Sequence, residues 1–269
     1  MPEIVNQPAQ LLPSVVALAR EAGGEILEFY QGECAVQHKR DDSPLTAADL
    51  AAHRRIMAGL ARLTPDVPRL SEESGDQSYR GRRGWTRFWL MDPLDGTREF
   101  LKRNGEFTVN IALIDHGRPV LGVVHAPALA TTYYAAEGAG AWKQVADANA
   151  ILLHTVPTQQ PPRLLVSRSH ETRELETLIS RLPQHRLLRL GSSLKFCLVA
   201  EGGADLYPRM GPTSEWDTAA GQCVVEQAGG VVTDTSGLPL RYNTRKSLFN
   251  PSFLVSGDAG YPWQQYLSD

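Results

Sequence analysis

The chain has 269 residues, 42% hydrophobic and 21% charged, with a formal net charge of −3. That length buries a full core as one large or two closely packed domains, and the balance excludes a disordered, collagenous or coiled-coil chain. The slightly acidic total gives no bulk attraction to nucleic acid or an anionic membrane, and the three widely spaced cysteines (Cys34, Cys197, Cys223) make neither a disulfide framework nor a zinc spacing.

The first element predicted is a helix over 9–30, from the recurrence of Leu12, Val15, Val16, Ala19, Ile26, Leu27 and Tyr30 at three- and four-residue steps. Gly23-Gly24 weakens its middle. Asp41-Asp42-Ser43-Pro44 reads as a turn. Thr46, with Asp49 three residues on, reads as the cap of a helix running to about Leu63, where Thr64-Pro65-Asp66 stops it. Residues 88–92 read as a short buried strand that enters Pro93-Leu94-Asp95-Gly96-Thr97 and opens a helix over 97–102. Strands at 107–115, 120–125, 131–136 and 141–145, with a turn at His116-Gly117-Arg118-Pro119, predict antiparallel hairpins.

Gln159-Gln160-Pro161-Pro162 is the best boundary and divides the chain into 1–158 and 159–269. Beyond it, strand and helix alternate: strand 163–167, helix 171–182, strand 186–190, helix 193–201, strand 204–208, helix 216–227 and strand 230–234. The expectation is an α+β half with an antiparallel sheet joined to an α/β half, with a site in the cleft between them. Met1-Pro2-Glu3-Ile4 lacks the pattern of a secretory leader, and no apolar stretch approaches the ~20 residues that span a bilayer. With the cysteine usage, this predicts a cytoplasmic protein.

The chemistry gathers in four acidic islands: Asp49, Glu72-Glu73, Asp92 with Asp95, and Asp217. Each sits beside small, turn-forming or aromatic residues rather than in a charged run. Asp92 and Asp95 are three residues apart on a tight turn after an apolar strand. Buried together without a cation they repel, and one holds its proton. A divalent cation removes the conflict, and carboxylates with a backbone carbonyl suit Mg²⁺. The plain alternatives are local: a strand end for Asp92, helix caps for Asp95 and Asp49, dipole complementarity for Asp217, and a solvated loop for Glu72-Glu73. Gly96 lets the backbone approach a ligand. If a helix begins there, the amides of Gly96 and Thr97 can hold a phosphate, and the Thr97 hydroxyl can orient a water.

Together the islands resemble the inositol monophosphatase-like superfamily of Mg²⁺-dependent, lithium-sensitive phosphatases. Asp92-Pro93-Leu94-Asp95-Gly96-Thr97 resembles its first signature, and Trp216-Asp217-Thr218-Ala219-Ala220-Gly221, running on to Ala228-Gly229-Gly230, its second. Ser43-Pro44-Leu45-Thr46-Ala47-Ala48-Asp49 and Ser71-Glu72-Glu73-Ser74 stand in the family's order, and the likeness runs from the first helix to Asn250-Pro251-Ser252-Phe253. It implies a layered αβαβα sandwich. The segments 99–110 and 191–197, with Ser167-Arg168-Ser169-His170 and Leu206-Tyr207-Pro208-Arg209, resemble the superfamily's 3′(2′),5′-bisphosphate nucleotidase branch.

That resemblance implies two to three Mg²⁺ ions held by Glu72, Asp92, the Leu94 carbonyl, Asp95 and Asp217, with most ligands in the first half of the chain and Asp92 bridging two ions. It implies a water activated by Thr97, supported by Asp49, with Glu72 beside it. Glu73 matches no ligand. Leu94, Asp95, Gly96, Thr97, His170, Ser192, Lys195, Arg209 and Asp217 fall on substrate-contacting positions. The implied reaction is removal of the 3′-phosphate of adenosine 3′,5′-bisphosphate to give AMP, with 3′-phosphoadenylyl sulfate as a further candidate. Inositol monophosphate or a sugar bisphosphate, and a non-catalytic nucleotide-binding module, are the competing readings. The implied partner is a small nucleotide bisphosphate and not a nucleic acid. Peripheral contact with the inner membrane and the oligomeric state are left open.

Overall fold

The computed structural model describes residues 7–32, 36–38, 44–75, 78–168, 172–182 and 184–267. Helix α1 (Pro8–Gln31) is followed by the short antiparallel pair β1 (Val36–His38) and β2 (Pro44–Thr46), and then by helix α2 (Ala47–Leu63). Strand β3 (Arg69–Ser71) leads through a 3-10 turn at Glu72–Ser74 to the single-turn helix α3 (Tyr79–Arg82), strand β4 (Arg87–Asp95) and the short helix α4 (Thr97–Leu101). Strands β5 (Thr108–Asp115), β6 (Arg118–Ala126), β7 (Thr131–Ala136), β8 (Gly140–Val145) and β9 (Ile151–Leu152) complete a seven-stranded sheet in chain order. β3 pairs parallel with β4, and the other pairs are antiparallel.

The rest of the chain gives β10 (Arg163–Ser167), α5 (Arg173–Arg181), β11 (Arg186–Leu190), α6 (Leu194–Ala200), β12 (Leu206–Arg209), α7 (Glu215–Gln227), β13 (Val231–Asp234) and β14 (Phe253–Ser256). These strands form a second sheet, in the order β11-β10-β12-β14-β13. β10 runs parallel to β11 and β12, while β14 is antiparallel to both its neighbours.

The alternation of side chains along a strand determines the layers. On β4, Trp89 and Met91 join α1 and α2 in one core, whereas Phe88 and Leu90 face the other way, toward α6 and α7. On β12, Tyr207 joins that middle core and Leu206 a third one, with Leu178 of α5 and Trp263. The order is therefore helix pair, seven-stranded sheet, helix pair, five-stranded sheet, helix: the expected αβαβα sandwich.

Two local readings gain detail. Gly23 has a packing role besides its weak helix propensity: a Cβ there would lie 2.6 Å from Cδ2 of His125, so the glycine lets the helix lie directly on β6. Strand β4 does not end at Asp92. It continues through Pro93 to Asp95, with the register to β5 shifting between Asp92 and Asp95, and a proline fits such an irregularity because no ladder donor is lost there. No helix among the described residues is long and apolar enough to cross a membrane.

Candidate active site

The acids are brought together by element ends. β3 delivers Glu72, the irregular end of β4 delivers Asp92, Leu94 and Asp95, and the first turn of α7 delivers Asp217. Carboxylate oxygens of Glu72, Asp92 and Asp217 lie within 4.8 Å of one another, the one such cluster of three metal-ligating side chains among the described residues. All three line a cavity of about 390 Å³, together with Leu94, Asp95, Gly96, Thr97, Ser192, Lys195 and Arg209. Asp49 stands behind it, and His170 lies outside the described residues.

Each acid is held locally. Asp92 Oδ1 accepts the Leu94 N–H at 3.0 Å, a turn the Asp-Pro-Leu sequence makes by itself. Asp217 Oδ2 accepts the Ser214 N–H at 2.9 Å, the return arm of a capping box on α7. Asp49 makes the same box on α2: Oδ2 accepts from the Thr46 N–H at 2.8 Å and the Thr46 hydroxyl at 2.5 Å. Its other oxygen, Oδ1, lies 3.4 Å from the Thr97 hydroxyl, which is also 3.3 Å from the Leu94 carbonyl.

Asp95 is gripped by groups whose role the sequence does not disclose. Its Oδ2 accepts the Ser193 N–H at 2.6 Å and the Asn110 amide at 3.4 Å. The Ser193 hydroxyl donates to Asn110 Oδ1 at 2.7 Å and lies 2.7 Å from Thr108 Oγ1. A signal exists in retrospect: Thr108 and Asn110 are polar, alternate with Val109 and Ile111 on one strand, and are fully buried. Two buried polar side chains on one strand face need partners.

The electrostatics fit a cation. Burial raises the Asp95 carboxyl above its ordinary range, more than Lys195 and the Ser193 N–H lower it. Burial also raises Asp217 well above its range, and the neighbouring Asp95 and Glu72 add to this. A buried carboxylate cluster under such stress, built of hard oxygen donors, fits a hard divalent metal.

The cavity is also lined by basic side chains. Lys195 is only 4% exposed; its ammonium donates to the Ser192 carbonyl at 2.5 Å and sits 5.2 Å from the centroid of the Tyr207 ring. Burial brings its pKa down to about 8 against the pull of Asp95. Arg209 donates to Thr213 Oγ1 at 2.6 Å and to the Pro212 carbonyl at 2.8 Å. The backbone lining the cavity is tight. Gly96 has φ +88°, and a Cβ there would meet the Glu106 carbonyl at 3.0 Å. Ser192 also holds a left-handed φ of 45°, a strained state for a non-glycine residue that is typical of functional turns. Helix α4 is too short for a strong dipole, and Arg98, Lys195 and Arg209 are the basic side chains that line the cavity.

Known proteins share this sequence pattern and fold. The model of the inositol monophosphatase family matches residues 7–260. The chain is 54% identical over 248 residues, 91% of its length and 99% of the relative's, to the 3′(2′),5′-bisphosphate nucleotidase CysQ of Escherichia coli K12. It is 38% identical to CysQ of Haemophilus influenzae over 94% of this chain and 95% of that one. The crystal structure of Bacteroides thetaiotaomicron CysQ superposes with a TM-score of 0.79 at 42% identity, covering 90% of this chain and 95% of that one. A Thermotoga maritima inositol monophosphatase superposes at 0.77 with 26% identity, covering 94% of each chain. With its acids, its layers and its relatives in accord, the chain belongs to the inositol monophosphatase family.

Proposed function

We propose that this protein is a 3′(2′),5′-bisphosphate nucleotidase that hydrolyses the 3′-phosphate of adenosine 3′,5′-bisphosphate to AMP and inorganic phosphate. The carrying observation is that the Glu72–Asp92–Asp217 cluster and the basic side chains of Lys195 and Arg209 line one cavity. A single phosphate needs only the acids with their metal. The two basic side chains give a second phosphate its own partners, since Lys and Arg suit phosphate oxygens. The 3′-phosphoadenylyl sulfate molecule carries the same 3′-phosphate, with a phosphosulfate in place of the 5′-phosphate, and is a second substrate on this reading.

Glu72, Asp92, the Leu94 carbonyl, Asp95 and Asp217 would hold the metal, a donor set large enough for two to three Mg²⁺ ions. Bound there, Mg²⁺ would neutralise phosphoryl charge, lower the pKa of a water and stabilise the departing alkoxide. The chain's own groups do the positioning. Asp49 Oδ1 accepts the Thr97 hydroxyl hydrogen, which leaves the lone pairs of Thr97 Oγ1 to accept a hydrogen bond from the attacking water. Asp49 is itself fixed by Thr46, so the pair is preorganised. Glu72 lines the same cavity and, on this reading, stands beside the attacking water. Ser192, Lys195 and Arg209, with His170, which lies outside the described residues, would receive the nucleotide. The two buried free thiols, Cys197 and Cys223, agree with a cytoplasmic setting.

The test is phosphate release from adenosine 3′,5′-bisphosphate and from inositol 1-phosphate, side by side, with Mg²⁺ and with a chelator. Metal-dependent release from the nucleotide, well above that from the inositol phosphate, is expected. Equal or reversed preference would overturn the substrate assignment.

A further inference from the structure

We propose that Phe249 is the wall on which the nucleobase of the substrate stacks, and that it selects nucleotides over base-free sugar phosphates. The inference rests on the nucleotidase reading above.

Scattered exposed hydrophobic side chains are ordinary in proteins. Phe249 differs by its place. Among the described residues, the large hydrophobic side chains that stand exposed include Leu101, Leu129, Ile151, Leu187 and Leu238, and none of these lines the cavity. Phe249 does, at 58% exposure, and it is the one aromatic side chain in that exposed group. The cavity's other aromatic residues, Phe196 and Tyr207, are buried in the middle core, and Tyr207 carries the Lys195 ammonium over its ring. The accessible aromatic face in the cavity is therefore that of Phe249.

Its backbone is fixed on both sides. Leu248, the preceding residue, packs on the core, and its carbonyl accepts the Glu215 N–H at 2.8 Å. The following residue, Asn250, donates its N–H to the Thr213 carbonyl at 2.8 Å, and Phe249 itself bridges Ser214. Thr213 is the residue that receives Arg209. One hydrogen-bonded loop pair thus carries the cation and the aromatic ring to the same rim, close to the N-cap of the helix that presents Asp217. Acids, cations and an open aromatic face line one cavity, and the nucleotide carries two phosphates and a base on one ribose. Stacking reads any base through its π-face, so this wall should tolerate other bases while disfavouring substrates that lack one.

The experiment compares wild type with Phe249→Ala and Phe249→Trp. KM for adenosine 3′,5′-bisphosphate is expected to rise about tenfold in Phe249→Ala, the range of one lost base–aromatic stack, and to return in Phe249→Trp. The inhibition constants of the two products divide the cause. That of AMP should rise in parallel in Phe249→Ala, while that of inorganic phosphate, which has no base, should stay within about twofold. An unchanged KM, or a loss of phosphate affinity as large as that of AMP, overturns the inference. If the wild-type enzyme leaves the nucleotide intact, the substrate reading itself has failed, and this inference falls with it.

Discussion

Asp49 uses one carboxylate oxygen for its helix and the other for the cavity. In sequence it reads as a helix cap, and it is one: the Thr46 box is present. The cap is also what aims Oδ1 at Thr97, so the bond to the helix and the contact toward the cavity are one geometry. Asp49→Asn keeps an oxygen for the Thr46 N–H but loses the anionic acceptor for the Thr97 hydroxyl. The expected result is a drop in kcat of about 10²-fold or more with little change in melting temperature, since a general-base relay contributes on that order. Steady-state kinetics beside a thermal melt would check it. Asp217 is legible for the same reason, as a first-turn acid before a small-residue run. Asn110 and Ser193 are not, because their value lies in reaching each other and Asp95 across 83 and 98 positions of chain.

The helices meet the sheets at glycines and small residues, and element contacts of this kind can be broken one at a time. A Cβ on Gly122 of β6 would lie 2.4 Å from the Ala220 carbonyl of α7, against backbone that cannot step aside. Gly122→Ala should lower stability by about 2 kcal/mol through overpacking, read as a lower urea midpoint. On the other face, α1 lies on His125, whose ring is 7% exposed and 3.0 Å from Thr132 Oγ1. Burial, with Arg20 close by, brings the His125 pKa down to about 4 from the usual 6.5. The unfolded chain therefore takes up a proton first as pH falls. Stability from this site is whole above pH 6.5 and declines toward pH 4, by roughly 3 kcal/mol in all. His125→Gln should flatten that part of a stability profile measured from pH 7 to pH 4. Strands with clear alternation and helices with capping boxes are plain in the sequence. Short β9 is not: two residues give too little period to register. β14, as long as β12 and β13 and lying between them in the second sheet, is not read from the sequence either.

At the scale of the molecule, the acid cluster joins layers. Glu72 and Asp92 come from the seven-stranded sheet and Asp217 from a helix packed between the two sheets. Without a cation this seam holds mutually repelling charge, so Asp217→Asn should melt higher than wild type by an amount worth about 1 kcal/mol in metal-free buffer, while losing activity. Added Mg²⁺ should raise the wild-type melting temperature progressively with concentration, and the same titration should leave Asp217→Asn nearly unmoved. Differential scanning calorimetry with and without chelator separates these outcomes. Composition and motif order indicate a two-part α/β molecule, but which layer lies inside is decided by packing that no local pattern encodes.

The seam also sets a timetable for the growing polypeptide. Asp92 leaves the ribosome about 125 positions ahead of Asp217, a delay on the order of 10 s at ordinary elongation rates. During that interval the seven-stranded sheet presents to the cell the face that α7 later covers, with Phe88, Leu90, Ala112 and Val124 unshielded. The nascent chain is thus most in need of a chaperone just before it becomes an enzyme, and a ribosome stalled between those two positions would yield a sticky fragment with an incomplete ligand set.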